Sequence, residues 1–371
     1  NRARAFYGRW LAFALHHRAL SIGGFATFVA VSVALFPLVG RDFVPSVDAG
    51  LIKLHARGAP GQRIEETEHQ FTKLDAAIKK VIPPKEIDTI IDNMGTPNSG
   101  LNLSLSEGAP ISPADGQVLV ALKEHHGSTP EYVRKLRKQL THDFPGTTFF
   151  FLAPDISTQV LNFGQAAPID VQVVGPTGEE ARTYALAEKL RDRIARIPGA
   201  VDVHLAQVVD RPQLDIDVNR TMASQLGLTA QDVSSDLLIS LASSGQVSPG
   251  FWIDPKRGVQ YLVAVQTPQY AINSIDALSS TPIARSNGGP ELLSNVATIS
   301  RSTGPVNITH YDVRRTYDVQ ANVDGTDLGT LVSGVNRVLA DTKLPRGTTA
   351  TVRGQAESME SSFRGLGYGV L

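Results

Sequence analysis

The sequence predicts a membrane-anchored α+β protein: one transmembrane helix, then two ferredoxin-like (split βαβ) units, the second interrupted by a small α+β insertion. Three observations predict it. An uncharged run of 22 residues, Ala19 to Gly40, stands near the N-terminus. Beyond it a strand, an amphipathic helix and a proline–glycine stop recur in a fixed order. The chain of 371 residues is also too long for one ordinary core, while its 42% hydrophobic and 19% charged residues describe a folded protein.

The uncharged run comes first. A bilayer core takes about 20 apolar residues as helix, because unpaired backbone polar groups are costly in hydrocarbon. Arg2, Arg4, Arg9 and Arg18 precede the run with no acid among them. The positive-inside rule then puts the N-terminal side in the cytoplasm and everything after Gly40 outside it, with membrane lipid as a partner. Trp10 and Phe13 suit the interfacial belt. A signal peptide is the rival, but it has a shorter apolar stretch and a small-residue cleavage site, which Phe36-Pro37-Leu38 does not supply. The closing Gly365–Leu371 reads as the first turns of another apolar helix, so the sequence is expected to be a piece of something longer.

The exported part follows. Leu51 to Ala56 is a predicted strand, and a helix follows with Ile64, Phe71, Leu74, Ile78 and Ile82 on one face. Pro83-Pro84 ends it before a strand over Ile87–Asp92. A polar loop, Thr96 to Gly116, leads to a strand over Gln117–Lys123. Thr129-Pro130-Glu131 is a helix start, with proline in the first turn and an acid behind it. Tyr132, Val133, Leu136 and Leu140 give that helix its inner face, Pro145-Gly146 stops it, and Thr147–Leu152 is the next strand. The order is βαββαβ.

The theme then restarts. Ile169–Val174 is a strand, Glu179–Arg196 a helix with Tyr184, Ala187, Leu190 and Ile194 inward, and Val201–Ala206 a strand after Pro198-Gly199. Much later come Tyr317–Val323, the helix Leu328–Ala340, a stop at Pro345 and Gly347, and the strand Thr349–Arg353. The repeat implies two split βαβ units. An insertion of about 90 residues from Arg211 interrupts the second. Inside it Pro212–Val218 alternates as a half-buried strand does, Thr229 with Asp232 resembles a capping box before Val233, Leu237, Leu238 and Leu241, and Val259–Val265 is a strand.

Composition narrows the function. With 35 basic and 36 acidic residues the chain has no concentrated basic footprint, which argues against nucleic acid. No cysteine is present, so no disulfide, thiolate metal site or cysteine nucleophile is available. No P-loop, Ser-His-Asp order or dinucleotide fingerprint occurs, and Gly95–Gly100 lacks the phosphate-binding lysine. An enzyme is not expected, nor a cofactor. Soft metal transport needs thioether donors, and Met94, Met222 and Met359 are scattered.

Several segments carry a resemblance. Arg41–Gly50 (RDFVPSVDAG) directly after a membrane helix, Ile197–Val203 (IPGAVDV), Pro212–Arg220 (PQLDIDVNR) and Ala223–Val233 (ASQLGLTAQDV) are similar, in this order, to resistance–nodulation–division (RND) efflux permeases of the drug-exporting branch. The resemblance implies the seventh membrane helix and the second large periplasmic loop of such a pump. It assigns 1–40 to the cytoplasmic flank and helix and 41–166 to a first porter subdomain. Residues 167–210 with 304–356 form a second, 211–303 an inserted docking or funnel subdomain, and 357–371 the start of the next membrane helix. It further implies an inner-membrane homotrimer with the bulk of this chain in the periplasm. That trimer exchanges protons for small amphiphilic substrates and meets a periplasmic adaptor and an outer-membrane channel.

The same resemblance points to Phe149 and Phe151 as substrate-binding, with alternation sending Phe150 to the opposite face; core filling is the competing role for these rings. Ile90, Asp92 and Asn93 join them, and Thr96 to Gly116, with Pro97, Asn98, Ser99 and Gly100, matches a gating loop without the phenylalanines common there. Asp42 and Asp48, near the membrane surface, are read mainly as solvated charges. Two other classes stay open: an anchored periplasmic interaction module that transports nothing, and an accessory exporter of the protein-secretion type.

Overall fold

The computed structural model describes residues 2–35, 40–42, 48–96, 111–154, 166–285 and 288–370. The chain divides into two compact units, one made of residues 1–208 with 306–371 and the other of 209–305.

The larger unit opens with helices α1 (Arg2–His16) and α2 (Arg18–Leu35). Here the expectation of a transmembrane helix is not met: among the described residues no helix is long and apolar enough to cross a membrane. The described helix has 18 residues and starts on Arg18, so at 1.5 Å per residue it reaches about 27 Å, short of a hydrocarbon core of about 30 Å. Residues 36–39 of the apolar run lie outside the described residues. The apolar side chains of both helices nevertheless face outward, from Phe6 and Trp10 to Phe25, Phe28 and Leu35.

A first sheet follows from β1 (Leu51–Arg57), β2 (Ile87–Met94), β3 (Asp115–Leu122) and β4 (Thr148–Leu152). Its strand order is β2-β3-β1-β4, and every pairing is antiparallel. Helix α3 (Ile64–Val81) carries Glu65 and Glu66 in its first turn and Lys79 and Lys80 in its last, charges that complement the helix dipole at both ends. It ends at Ile82, immediately before Pro83-Pro84, which cannot continue a helix. Helix α4 (Thr129–Asp143) starts with proline in its first turn. The two helices pack on one face of the sheet, where Ile52, Leu54, Phe71, Leu74, Ile78, Val118, Leu136 and Leu140 are all at most 2% exposed. Ile64, placed on the inner face by periodicity, is exposed instead. It is the first residue of α3.

A second sheet is built from β5 (Ile169–Val174), β6 (Ala200–Leu205) and later strands. Helix α5 (Glu180–Ile194) buries Leu186, Ala187, Leu190 and Ile194, which recur every three to four residues. The turn after it needs Gly199, whose φ of 89° is left-handed. A Cβ at Gly199 would also run into the Thr326 methyl, so both backbone and space demand glycine.

The smaller unit holds β7 (Arg211–Val218), α6 (Arg220–Gln225), α7 (Ala230–Ala242), β8 (Gly250–Ile253), β9 (Gln260–Val263), α8 (Ile275–Ser279), β10 (Pro282–Ile283), β11 (Glu291–Leu292) and β12 (Ala297–Gly304). Strands β7 and β12 pair along their whole length. Thr229 and Asp232 form both bonds of a capping box on α7. Ala223, Val233, Leu237, Ile283, Leu293 and Val296 make its core. Leu238 and Leu241, expected to continue this helix, do so but are exposed; the core is small and covers only one stripe of the helix. The β8–β9 hairpin exposes both faces, including Phe251, Trp252, Ile253, Tyr261 and Leu262.

The chain then returns to the larger unit with β13 (Thr309–Tyr311), β14 (Arg314–Val323), α9 (Leu328–Ala340), β15 (Thr349–Arg353) and α10 (Gln355–Val370). The second sheet runs β13-β14-β5-β15, with β6 also on β14. Helix α9 packs on α5 and buries Leu331, Val332 and Val335. The segment read as a next membrane helix is α10, whose first turns carry the ion pairs Arg353–Glu357 and Glu360–Arg364.

Candidate functional site

The two sheets of the larger unit meet through β4 and β6. Alternation along β1 sends Ile52, Leu54 and Ala56 into the helix-covered core. Lys53, His55 and Arg57 therefore occupy the opposite face, all nearly buried. On β4 the same rule puts Phe149 and Phe151 toward that core and Phe150 toward the second sheet.

Phe150 lies between two imidazoles, with His55 of the first sheet at 4.2 Å and 20° and His204 of the second at 3.7 Å and 13°. His204 is pushed down to about 3, mainly by burial, although its Nδ1 donates to the Asp202 carbonyl at 2.8 Å. Burial likewise lowers His55, so both rings are neutral near neutral pH and stack as aromatic planes. Arg57 spans the junction. Its Nε donates to Asp115 at 2.7 Å and its Nη1 to the carbonyls of Leu205 and Ala206 at 3.1 and 3.3 Å. Burial alone would raise Asp115, but His55 and Arg57 outweigh it and hold the carboxyl below its ordinary range.

Beside this dry joint the sheets part into a cleft of about 450 Å³. Its apolar walls include Leu51, Ile52, Val133, Phe151, Leu152 and Val323. Its charged groups are Asp48, Lys53, Arg134, Arg137 and Asp324. Arg134 and Arg137 stand one turn apart on α4 and share the Asp324 carboxylate, at 2.9 and 3.1 Å. Arg137 also grips Asp202 through two bonds of 2.8 and 2.9 Å and lies 5.0 Å above the Phe151 ring. Asp202 adopts a left-handed φ of 55°. Its carboxylate accepts from Asn322 Nδ2 at 2.8 Å and from Phe151 N at 3.3 Å as well, enough partners to hold a strained backbone. Asp48 accepts from Gly50 and Thr129 backbone N–H groups. Burial would raise its carboxyl, yet those bonds keep it lowered.

The residues named from the sequence fall in separate places. Phe151 is 7% exposed and borders both core and cleft. Phe149 packs on the core with Phe144 edge-on at 5.9 Å. Ile90, Asp92 and Asn93 lie on β2, at the far edge of the sheet from β4. Three strand spacings, roughly 14 Å, separate those edges. Ile90 packs on the core; Asp92 is half-buried, its carboxyl pushed up to about 6 by burial and then by Asp75; Asn93 is exposed on the other face. Pro97, Asn98, Ser99 and Gly100 lie outside the described residues. Asp42 and Asp48 are both exposed, and Asp42 also accepts a hydrogen bond from the Leu328 backbone N–H at the start of α9. Arg134, Arg137, Asp202 and Asp324 were not singled out from the sequence. The pairing of Arg134 and Arg137 at one-turn spacing was the available local signal; their partners come from 65 to 190 residues away.

Among the described residues no group of three or more His, Cys, Asp or Glu is placed to hold a metal ion. The cleft can enclose a small organic molecule, which usually wants 300–1,000 Å³ of mostly apolar wall with a few fixed polar groups.

Comparison with known proteins places this architecture. The structure is similar to two crystal forms of a heavy metal efflux pump, at TM-scores of 0.78 and 0.76 and 25% identity, covering 94% and 97% of this chain and 35% and 36% of those. Residues 1–366 match the AcrB/AcrD/AcrF family, and the chain belongs to that family of RND permeases. Relatives include protein HelA of Legionella pneumophila (26% identity, 97% of this chain, 34% of the relative). The cobalt-zinc-cadmium resistance protein CzcA of Cupriavidus metallidurans (24%, 91% and 32%) and the multidrug resistance protein MdtC of Klebsiella pneumoniae (20%, 96% and 33%) are others. The chain spans about a third of the length of these relatives. Cation and metal-resistance names predominate among these relatives, so the drug-exporting branch suggested by the sequence motifs gives way to the broader family alone.

Proposed function

We propose that this chain is the periplasmic substrate-handling part of a proton-driven RND efflux permease, and that small amphiphilic molecules pass through the cleft between its two sheets. The observation that carries this reading is the cleft itself: a volume fit for a small ligand, apolar walls, and charges confined to a few fixed groups. The strand order β2-β3-β1-β4 and its helices support a ferredoxin-like porter subdomain, and the second sheet supports another. The unit of residues 209–305 supports an inserted docking subdomain, for a periplasmic adaptor and an outer-membrane channel. The outward apolar surface of α1 and α2 supports an inner-membrane anchor. A homotrimer is part of the same reading, on family grounds.

The test fills the cleft. Val133→Trp, on the half-buried wall of α4, is expected to reduce efflux of amphiphilic compounds by the full-length pump at least several-fold at unchanged expression and melting temperature. Normal efflux removes the cleft from the path. A second reading, export of metal cations, is favoured by the names of most relatives. It predicts that zinc, cobalt or nickel tolerance, rather than amphiphile tolerance, falls when the gene is deleted.

A further inference from the structure

We infer that the cleft selects amphiphiles bearing an anionic group, a carboxylate or sulfonate, and that the anion enters by displacing Asp324 from the two arginines of α4. This rests on the cleft being the substrate path. The argument begins with the unequal hold on the four charges. Arg137 is fixed whatever Asp324 does, because Asp202 grips it through two bonds and is itself 5% exposed at the side chain and held by Asn322. Arg134 stays on the same helix face, one turn away. Asp324 sits between β14 and α9; its backbone N–H is held by the Gly199 carbonyl at 3.0 Å, while its carboxylate, among the described residues, is bonded to these guanidinium groups. Its bond to Arg134 is an open one, with that arginine side chain 53% exposed, the kind of pair that contributes little in water.

An incoming anion therefore finds one preorganised fork, Arg137, and a second permanent charge, Arg134, on the same face of a rigid helix, and the group it replaces is a loop carboxylate. An incoming cation finds the reverse. It must pair with Asp324 while facing Arg134, Arg137 and Lys53, and the other carboxylate of the cleft, Asp48, is already bonded to two backbone N–H groups. The apolar remainder of the ligand would lie along Val133, Leu51 and Phe151. Exchange frees the Asp324 side chain from α4 while its backbone stays bonded to Gly199. The His55–Phe150–His204 joint is untouched, so the cleft opens at its rim and stays closed at its base.

The experiment compares two compounds on one ring system, anilinonaphthalene sulfonate and the uncharged phenylnaphthylamine, by fluorescence binding to the full-length purified pump. Arg134→Gln is expected to weaken the sulfonate about tenfold, Asp324→Asn to tighten it several-fold by removing the competitor, and both to leave the uncharged compound within twofold. Equal shifts for the two compounds, or a sulfonate unmoved by Asp324→Asn, overturn the anion exchange. Val133→Trp separates the two levels. If it abolishes binding of both compounds, the cleft stands whatever the charge variants do; if it alters neither, the cleft reading and this inference fall together.

Discussion

Asp170 and Asp318 stand diagonally on the polar face of the second sheet, on paired strands β5 and β14, where Asp170 lies opposite Gln320 and Asp318 opposite Gln172. Asp170 is 3% exposed, and only one of its oxygens is bonded, to Gln320 Nε2 at 3.2 Å. Burial, then the charge of Asp318, pushes Asp170 up to about 7, and burial raises Asp318 also. The folded state thus binds more protons than the unfolded chain between about pH 4 and pH 7, so the pair costs stability progressively as pH rises through that window. Asp170→Asn is expected to match the parent's melting temperature near pH 4 and exceed it at pH 8, at about 2–4 °C per kcal/mol for a unit of this size. Equal melting temperatures at both pH values reject the buried pair as the source. At this scale the sequence is half legible. The alternation of Phe149, Phe150 and Phe151 was readable, yet both faces of β4 are buried, so alternation alone cannot say which faces the helices and which the second sheet. The partnership of Arg137 with Asp202 had no local signature, because an ion pair across 65 residues of chain leaves no period to read.

Among the elements, legibility follows local chemistry. Helix stops at Pro83-Pro84, Pro145-Gly146 and Pro198-Gly199 coincide with observed helix ends within two to four residues, since proline and left-handed glycine act where they stand. The capping box at Thr229 was legible for the same reason. Exposure of Leu238 and Leu241 was not, because it depends on how much core the smaller unit can offer. Helices α1 and α2 pose a sharper question, with aromatic and aliphatic side chains turned to water on every side. That surface is expected to enter a bilayer. In a flotation assay with phosphatidylglycerol-containing vesicles, the whole chain should rise with the lipid and a chain lacking residues 1–40 should remain below. Flotation of both would assign lipid binding elsewhere, the bare hairpin β8–β9 being the next candidate.

For the whole molecule, the repeat legible in the sequence explains why two sheets exist but not how they join. Strand order, β2-β3-β1-β4, follows from hydrophobic pattern and connection length. The junction follows from side chains of one sheet meeting those of another, long-range information that periodicity does not hold. That junction has a consequence for motion. A phenyl ring pressed between two parallel planes cannot turn about its own axis unless the planes separate, so Phe150 can rotate only when the first and second sheets breathe. Its ring-flip rate in an isotope-labelled sample is a clock for that breathing: slow exchange, with distinct resonances for the two ring edges, is the expected spectrum, and a single averaged line would mean the sheets part freely.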